Sequence, residues 1–527
     1  TSKFGMNAMD SRNAFELLID AETRLSGLPE SAREAAREDA LKKGHGSEAA
    51  PIWRFTLAAP SVMAVMQYAD EDDLRKAIWE GNVAVASHEP HDNTPLIREI
   101  LKLRHEKAQL LDKAHFADVV LADRMAKTGQ SAVAFIEDLY GQTKEAFERE
   151  AQELIDFKAK ITGEPAAPLN PWETGYWVEK MRKATCDFDE ESLRPYFPVV
   201  GVLRGMFEMC ETVFGVRVEA QTGEAKPEVW DADVGYFKIF DAPSNRLLGA
   251  FYTDWYPRET KRSGAWMMPM FSGESEEMNG LPSPHLGGMM GNMTRPLKDK
   301  PALLTHSEVE TIFHEFGHLL HHLLSEVPLP SLSGTNVAWD FVELPSQLME
   351  NWCWERESLD CFARHYETGE PLPDDLFEKL WATKTFRTGM GQMRQLLFGR
   401  CDLAMHMNPE AVMAAEDLDA WWREEIKDYL SPSTIEPSSN LRSFSHLFGS
   451  SVGYASGYYS YKWAEVLDAD AFTRFKDDGI LSPKVGRDFR EAILSKGNSE
   501  DPELLFRKFM GRDANAKALM ERLGIGG

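Results

Sequence analysis

Residues 303–323 read LLTHSEVETIFHEFGHLLHHL, and the interpretation of the chain turns on this stretch. Thr305 and Glu308 have the T-x-x-E spacing of a helix-capping box. Val309, Ile312, Phe313, Phe316, Leu319, Leu320 and Leu323 follow at helical spacing as far as Pro328, so the segment is expected to be an amphipathic helix. Its centre, His314-Glu315-Phe316-Gly317-His318, places two imidazoles on one helical face, one turn apart, with a carboxylate beside them. That arrangement suits two ligands on one Zn²⁺ and a proton carrier next to it, the chemistry of metal-assisted peptide hydrolysis.

A catalytic zinc takes three protein ligands and leaves one position open. The third must come from elsewhere, and downstream lies DFVELPSQLMENWCWE, residues 340–355. HEFGH followed by this second motif resembles the M3 family of zinc peptidases, the thimet oligopeptidase family. The resemblance implies that His314, His318 and Glu343 hold the metal, that Glu315 is the general base, and that one zinc ion is the cofactor. Glu350, two helical turns after Glu343, is placed to orient a histidine N–H, and Asp340 competes for that role.

The 527 residues, 43% of them hydrophobic, are ample for large cores and for more than one domain. Acidic residues outnumber basic ones by 85 to 58, a formal charge of −27, which argues against nucleic-acid or anionic-membrane partners. The cysteines, Cys186, Cys210, Cys353, Cys361 and Cys401, are odd in number and lack a C-x-x-C pair. Reduced thiols in a cytoplasmic protein are expected, and the protein is expected to be a monomer. No apolar run is long enough for a membrane helix, and the first residues lack the order of a signal peptide.

Helical patterns run from Ala14 to Lys43, Leu96 to Lys127 and Ala132 to Lys160. The run from Leu101 to Leu111 also resembles the family, and its His105 reads as a surface histidine. Thr162 to Pro171, with Gly163 and its prolines, is the strongest boundary in the first half, dividing an N-terminal helical lobe, 1–165, from a catalytic region, 166–527. Val229 to Phe240 and Leu247 to Tyr256 flank Asp241-Ala242-Pro243-Ser244-Asn245 and predict an antiparallel hairpin. Met267 to Pro301, rich in Met, Gly and Pro, reads as a long loop or irregular edge strand. His285 within it, and His321 and His322 on the metal helix, are not expected to be ligands. Pro371 to Met407 and Ala411 to Leu430 read as helices, and Ser431 to Asn440 as a loop.

Near the C-terminal end, Phe444-Ser445-His446-Leu447-Phe448-Gly449 precedes the glycine- and tyrosine-rich run Gly453 to Trp463. Taken alone, such a run is a common packing segment. By the resemblance, His446, Tyr454 and Tyr461 supply transition-state hydrogen bonds, and Tyr458 contacts substrate. The spacing from His446 to Tyr454 is longer than the family pattern.

The family likeness implies a mainly α fold: two helical lobes around a deep substrate channel, a zincin-type HExxH helix, and one small antiparallel sheet. Its front end departs from the pattern, since M3 proteins carry a further helical segment before the part that Thr1 to Phe15 resembles. The expected activity is cleavage of internal bonds in short unfolded peptides. The alternatives are dipeptidyl carboxypeptidase activity, which the Leu332 to Asn336 stretch also suits, and a non-catalytic peptide-binding protein.

Overall fold

The protein is described by a computed structural model covering residues 1–274, 283–297 and 299–525. Among these residues helix predominates, and no helix is long and apolar enough to cross a membrane. By compactness the chain groups into two units that each take up separated stretches: Thr1–Phe188 with Thr385–Tyr459, and Asp189–Lys384 with Ser460–Ile525. These boundaries are not the 165/166 division expected from composition. Gly163 does end a helix, at φ 75°, but helix Pro171–Cys186 beyond it packs Tyr176 and Trp177 against Leu154 and Ile155 and so shares a core with the preceding helix.

The first unit centres on the 34-residue helix Gly129–Thr162, whose start is capped by Thr128 accepting from the Ser131 N–H. Its apolar face, including Ile136, Leu139, Phe147 and Leu154, is buried, and helix Thr388–Met407 packs along it. A Cβ at Gly399 would come within 2.8 Å of Ile136, so the glycine sets how closely the two helices approach. Strands β1 (Leu17–Ile19) and β2 (Trp53–Phe55) pair antiparallel at a second core. The helix expected over Ala14–Lys43 is therefore only Glu30–Lys42: β1 and a short 3-10 turn, Glu22–Leu25, take up the earlier residues. The Leu96–Lys127 pattern likewise splits into Thr94–Leu110 and Phe116–Leu121.

The second unit contains β3 (Val216–Ala220), β4 (Gly235–Asp241), β5 (Leu247–Asp254), β6 (Trp266–Phe271) and β7 (His285–Met290), in the order β3-β4-β5-β7-β6. The predicted hairpin is β4 and β5. The sheet, however, is larger than expected and mixed, because β5 pairs parallel with β7. The 267–301 stretch forms two of its strands: β6 is an edge strand, irregular at Pro269, and β7 lies inside the sheet. Met-Gly-Pro composition shows no alternation because β7 is buried on both faces. Residues 275–282 and 298 of that stretch lie outside the described residues. Helix His306–Leu323 lies against β7 and β6, helix Leu344–Glu350 packs along it, and helix Ser460–Asp478 packs in turn on Leu344–Glu350.

Candidate metal centre

The His306–Leu323 helix begins as its sequence predicts: the Thr305 hydroxyl accepts from the Glu308 N–H, and the Glu308 carboxylate accepts from the Thr305 N–H. Phe313, Phe316, Leu319 and Leu320 are buried, which fixes the helix's rotation and leaves His314 and His318 on a shared side. Their rings lie 4.9 Å apart between centroids, nearly perpendicular. Gly317 sits where helix Leu344–Glu350 crosses, and a Cβ there would come within 2.5 Å of the Pro345 carbonyl oxygen and the Ser346 Cα. Only a glycine admits that approach, and the approach delivers Glu343.

The Glu343 Oε2 atom lies 3.2 Å from His314 Nε2 and 3.0 Å from His318 Nε2. The candidate ligand atoms of His314, His318 and Glu343 fall within 4.8 Å of one another, the metal-capable cluster among the described residues. Ligand bonds of ~2.0–2.1 Å in tetrahedral geometry give edges of about 3.3 Å, so these spacings fit a zinc-sized ion. Glu350 Oε1 lies 2.6 Å from His314 Nδ1 and accepts its proton, so that in the neutral ring a ligand requires, the Nε2 lone pair faces the cluster. Ser346 Oγ donates to Glu343 Oε2 at 2.9 Å and pins the carboxylate.

Electrostatics agree with the donor set. Burial works against a charged His314, yet the carboxylates of Glu343 and Glu350 hold its pKa well above the usual imidazole range. Burial also works against Glu343, yet His318 and His314 hold its carboxyl well below the usual range. A buried site that favours positive charge this strongly suits a dication. Glu315 is 4% exposed, and burial pushes its pKa up. One of its oxygens accepts from the Met267 N–H of β6, while Oε2 has no partner among the described residues.

Two of the histidines near the cluster are elsewhere employed. His285 accepts from the Gly273 N–H and donates to the Ser325 carbonyl, and His322 donates to the Leu286 carbonyl. His321 is fully buried and outside the cluster. His105 is on a helix beside Gln109. It is Glu350, and not the buried Asp340, that meets His314. Neither the part played by Gly317 nor the Met267 contact follows from the sequence pattern, although the glycine inside HEFGH is a signal for the first.

The tyrosine run divides between the units. His446, Tyr454 and Tyr458 belong to the first unit, where the His446 ring lies 5.6 Å from Tyr454 and 5.8 Å from Tyr458 between centroids. Tyr458 is 8% exposed, and burial pushes its phenol up to about 12. Tyr461 opens helix Ser460–Asp478 in the second unit, where its carbonyl accepts from Gln347 Nε2 at 3.0 Å, four residues beyond Glu343.

The signature of peptidase family M3 matches residues 65–525. The chain belongs to that family. It is a metallopeptidase, and M3 peptidases are metal-dependent. It is 39% identical to oligopeptidase A of Haemophilus influenzae over 531 residues, covering 99% of this chain and 76% of that one. The dipeptidyl carboxypeptidase of Escherichia coli is more distant, 31% identical over 530 residues, or 100% of this chain and 75% of that one. A solved structure of PZ peptidase A shares the fold at a TM-score of 0.53 and 14% identity, covering 90% of this chain and 70% of that one.

Proposed function

We propose that this M3 peptidase is a zinc-dependent oligopeptidase that cuts internal bonds of short unfolded peptides in the cytoplasm as a monomer. The observation that carries the reading is the convergence of His314, His318 and Glu343 within ligand distance of each other, with the unpartnered Glu315 Oε2 beside them. The likeness to oligopeptidase A supports the oligopeptidase assignment, and five free cysteines support a reducing compartment.

A zinc ion held by His314, His318 and Glu343 supplies Lewis acidity to the scissile carbonyl and lowers the pKa of a nearby water. Glu315 takes that water's proton and returns it to the leaving amine, a role its place between His314 and His318 on the same helix suits. Glu350 keeps the His314 proton on Nδ1 and the ring in its orientation. Tyr461, helped by Tyr454 or His446, donates to the oxyanion as charge develops on it, and Tyr458 contacts the substrate. β6 ends the sheet next to Glu315, so its outer edge can take an extended peptide as an added strand.

One experiment tests the reading: a peptide with free and with amidated C-terminus is digested with and without a chelator, and the products are identified by mass spectrometry. Identical internal cuts in both forms, abolished by chelator and restored by zinc, are expected. Dipeptides released only from the free C-terminus would make the chain a dipeptidyl carboxypeptidase. Cleavage that survives metal removal would overturn the metal assignment.

A further inference from the structure

Within the first unit, polar side chains from two helices end on the loop that carries His446, Tyr454 and Tyr458. Arg104 comes from helix Thr94–Leu110, and Asp402 and His406 from helix Thr388–Met407; they are 4%, 0% and 1% exposed. Arg104 Nη2 donates to the Leu447 carbonyl at 2.8 Å and to the Ser450 and Ser451 carbonyls at 3.2 and 3.4 Å. Asp402 accepts from the Ser456 N–H at 2.8 Å with one oxygen and from the Tyr458 N–H at 2.9 Å with the other. His406 lies between the two: its Nε2 is 2.9 Å from Arg104 Nη1, while its Nδ1 is 2.8 Å from the Asp402 main-chain carbonyl oxygen and 2.9 Å from Asp402 Oδ1. A guanidinium has no acceptor, so His406 Nε2 accepts and the ring proton sits on Nδ1, facing Asp402.

We infer that Arg104, His406 and Asp402 form a buried clamp that sets the position of the His446–Tyr459 loop, and that they are positioning residues for the peptidase reaction. The inference rests on the proposed roles of His446 and Tyr454. Burying a guanidinium and a carboxylate away from water is costly unless they are hydrogen-bonded, and here Arg104 Nη2 and both Asp402 oxygens meet backbone groups of one loop, Arg104 Nη1 meets His406, and only Arg104 Nε has no partner among the described residues. Ser445–Phe448 is a single helical turn whose last carbonyls have no partner within the turn, and Arg104 satisfies Leu447 among them. Ser456 holds φ 58°, a left-handed conformation unfavourable for a residue with a Cβ, and the Asp402 hydrogen bonds on either side of Gly457 hold it there. The loop is thus tied at 447–451 and again at 456–458. Between the two ties lies 452–455, which includes Tyr454 and a Gly453 at φ 54°. Tyr454 itself donates its N–H to the His446 carbonyl at 3.1 Å, so His446 and Tyr454 move with the same ties.

Asp402→Asn and Arg104→Lys preserve size while removing one acceptor and the forked donor. Each is expected to lower kcat about 10- to 100-fold, the scale of a misplacement of about 1 Å in a catalytic group. KM and bound zinc should stay near parent values, and amide exchange should rise at 452–458. Tyr454→Phe and His446→Ala are measured alongside, and Asp402→Asn is combined with Tyr454→Phe. The double variant should be no slower than the slower single one if Asp402 acts through Tyr454. Parent kcat in both clamp variants, with kcat reduced in Tyr454→Phe or His446→Ala, overturns the clamp and leaves the proposed mechanism standing. Parent kcat in Tyr454→Phe and His446→Ala removes these donors from the mechanism and the clamp with them. Losses that multiply in the double variant, or that match a lost folded fraction in thermal melts, reduce the clamp to a structural element.

Discussion

Gly317→Ala tests whether the packing of two helices sets the metal site. The added methyl would lie 2.5 Å from the Pro345 carbonyl oxygen and 2.5 Å from the Ser346 Cα, where ordinary contact begins at 3.4 Å. Both obstacles are backbone, so no rotamer change relieves them. The two helices must separate by about 0.9 Å, the difference of those distances. Such overpacking costs ~1–3 kcal/mol, while alanine returns ~1 kcal/mol of helix propensity over glycine. The metal-free variant should therefore lose only about 0–2 kcal/mol of stability. Glu343 lies two residues before Pro345 and shifts with it, whereas metal–ligand distances tolerate only about ±0.2 Å. Zinc affinity should fall by more than ~10-fold. The assay is chelator competition for zinc on metal-stripped parent and variant, with thermal unfolding of both apo forms. Parent zinc affinity and parent activity in Gly317→Ala would refute the packing argument.

Glu315→Gln should keep its zinc by elemental analysis and lose at least ~10²-fold in kcat, since only the proton-accepting oxygen changes; turnover near parent would remove the general-base role. Tyr461→Phe should lower kcat ~10²-fold with KM and Tm little moved, because one transition-state donor is lost at nearly constant volume; a kcat within about threefold of parent would return Tyr461 to packing. Asp254, 3% exposed, gives the acid limit. Burial works to raise its pKa, but hydrogen bonds from Arg258, Trp230 and Lys261 lower it from 3.8 to about 2. A depressed carboxyl contributes stability above its unfolded pKa and loses it as pH falls through the folded value. About 2 kcal/mol is therefore present above pH ~4 and lost toward pH ~2. Asp254→Asn should be less stable than parent at neutral pH, with the gap closing in acid; an equal gap at pH 7 and pH 2.5 in denaturant melts would contradict the assignment.

Local chemistry was legible wherever its cause lay within one turn of chain. The Thr305–Glu308 box, the apolar stripe behind it and the Asp241–Asn245 turn all stand as read, since capping and turn formation depend on neighbours in sequence. Periodicity misled where tertiary contacts override it. Leu17–Ile19 carries no strand signal of its own and is a strand because Trp53–Phe55 pairs with it. His285–Met290 lacks alternation because both of its faces are covered, and its parallel partner Leu247–Asp254 is separated from it in sequence by β6, a pairing that no local pattern reports.

The same division holds at the site. HEFGH by itself determined two imidazoles and a carboxylate on one helical face, because helical geometry places positions four apart together. The downstream motif offered Asp340, Glu343 and Glu350 without ranking them by any local rule. Tertiary structure decided that Glu343 Oε2 meets both Nε2 atoms and that Glu350 meets His314 Nδ1. Those contacts depend on how closely a second helix can approach Gly317, a distance between backbones far apart in sequence that no residue pattern encodes.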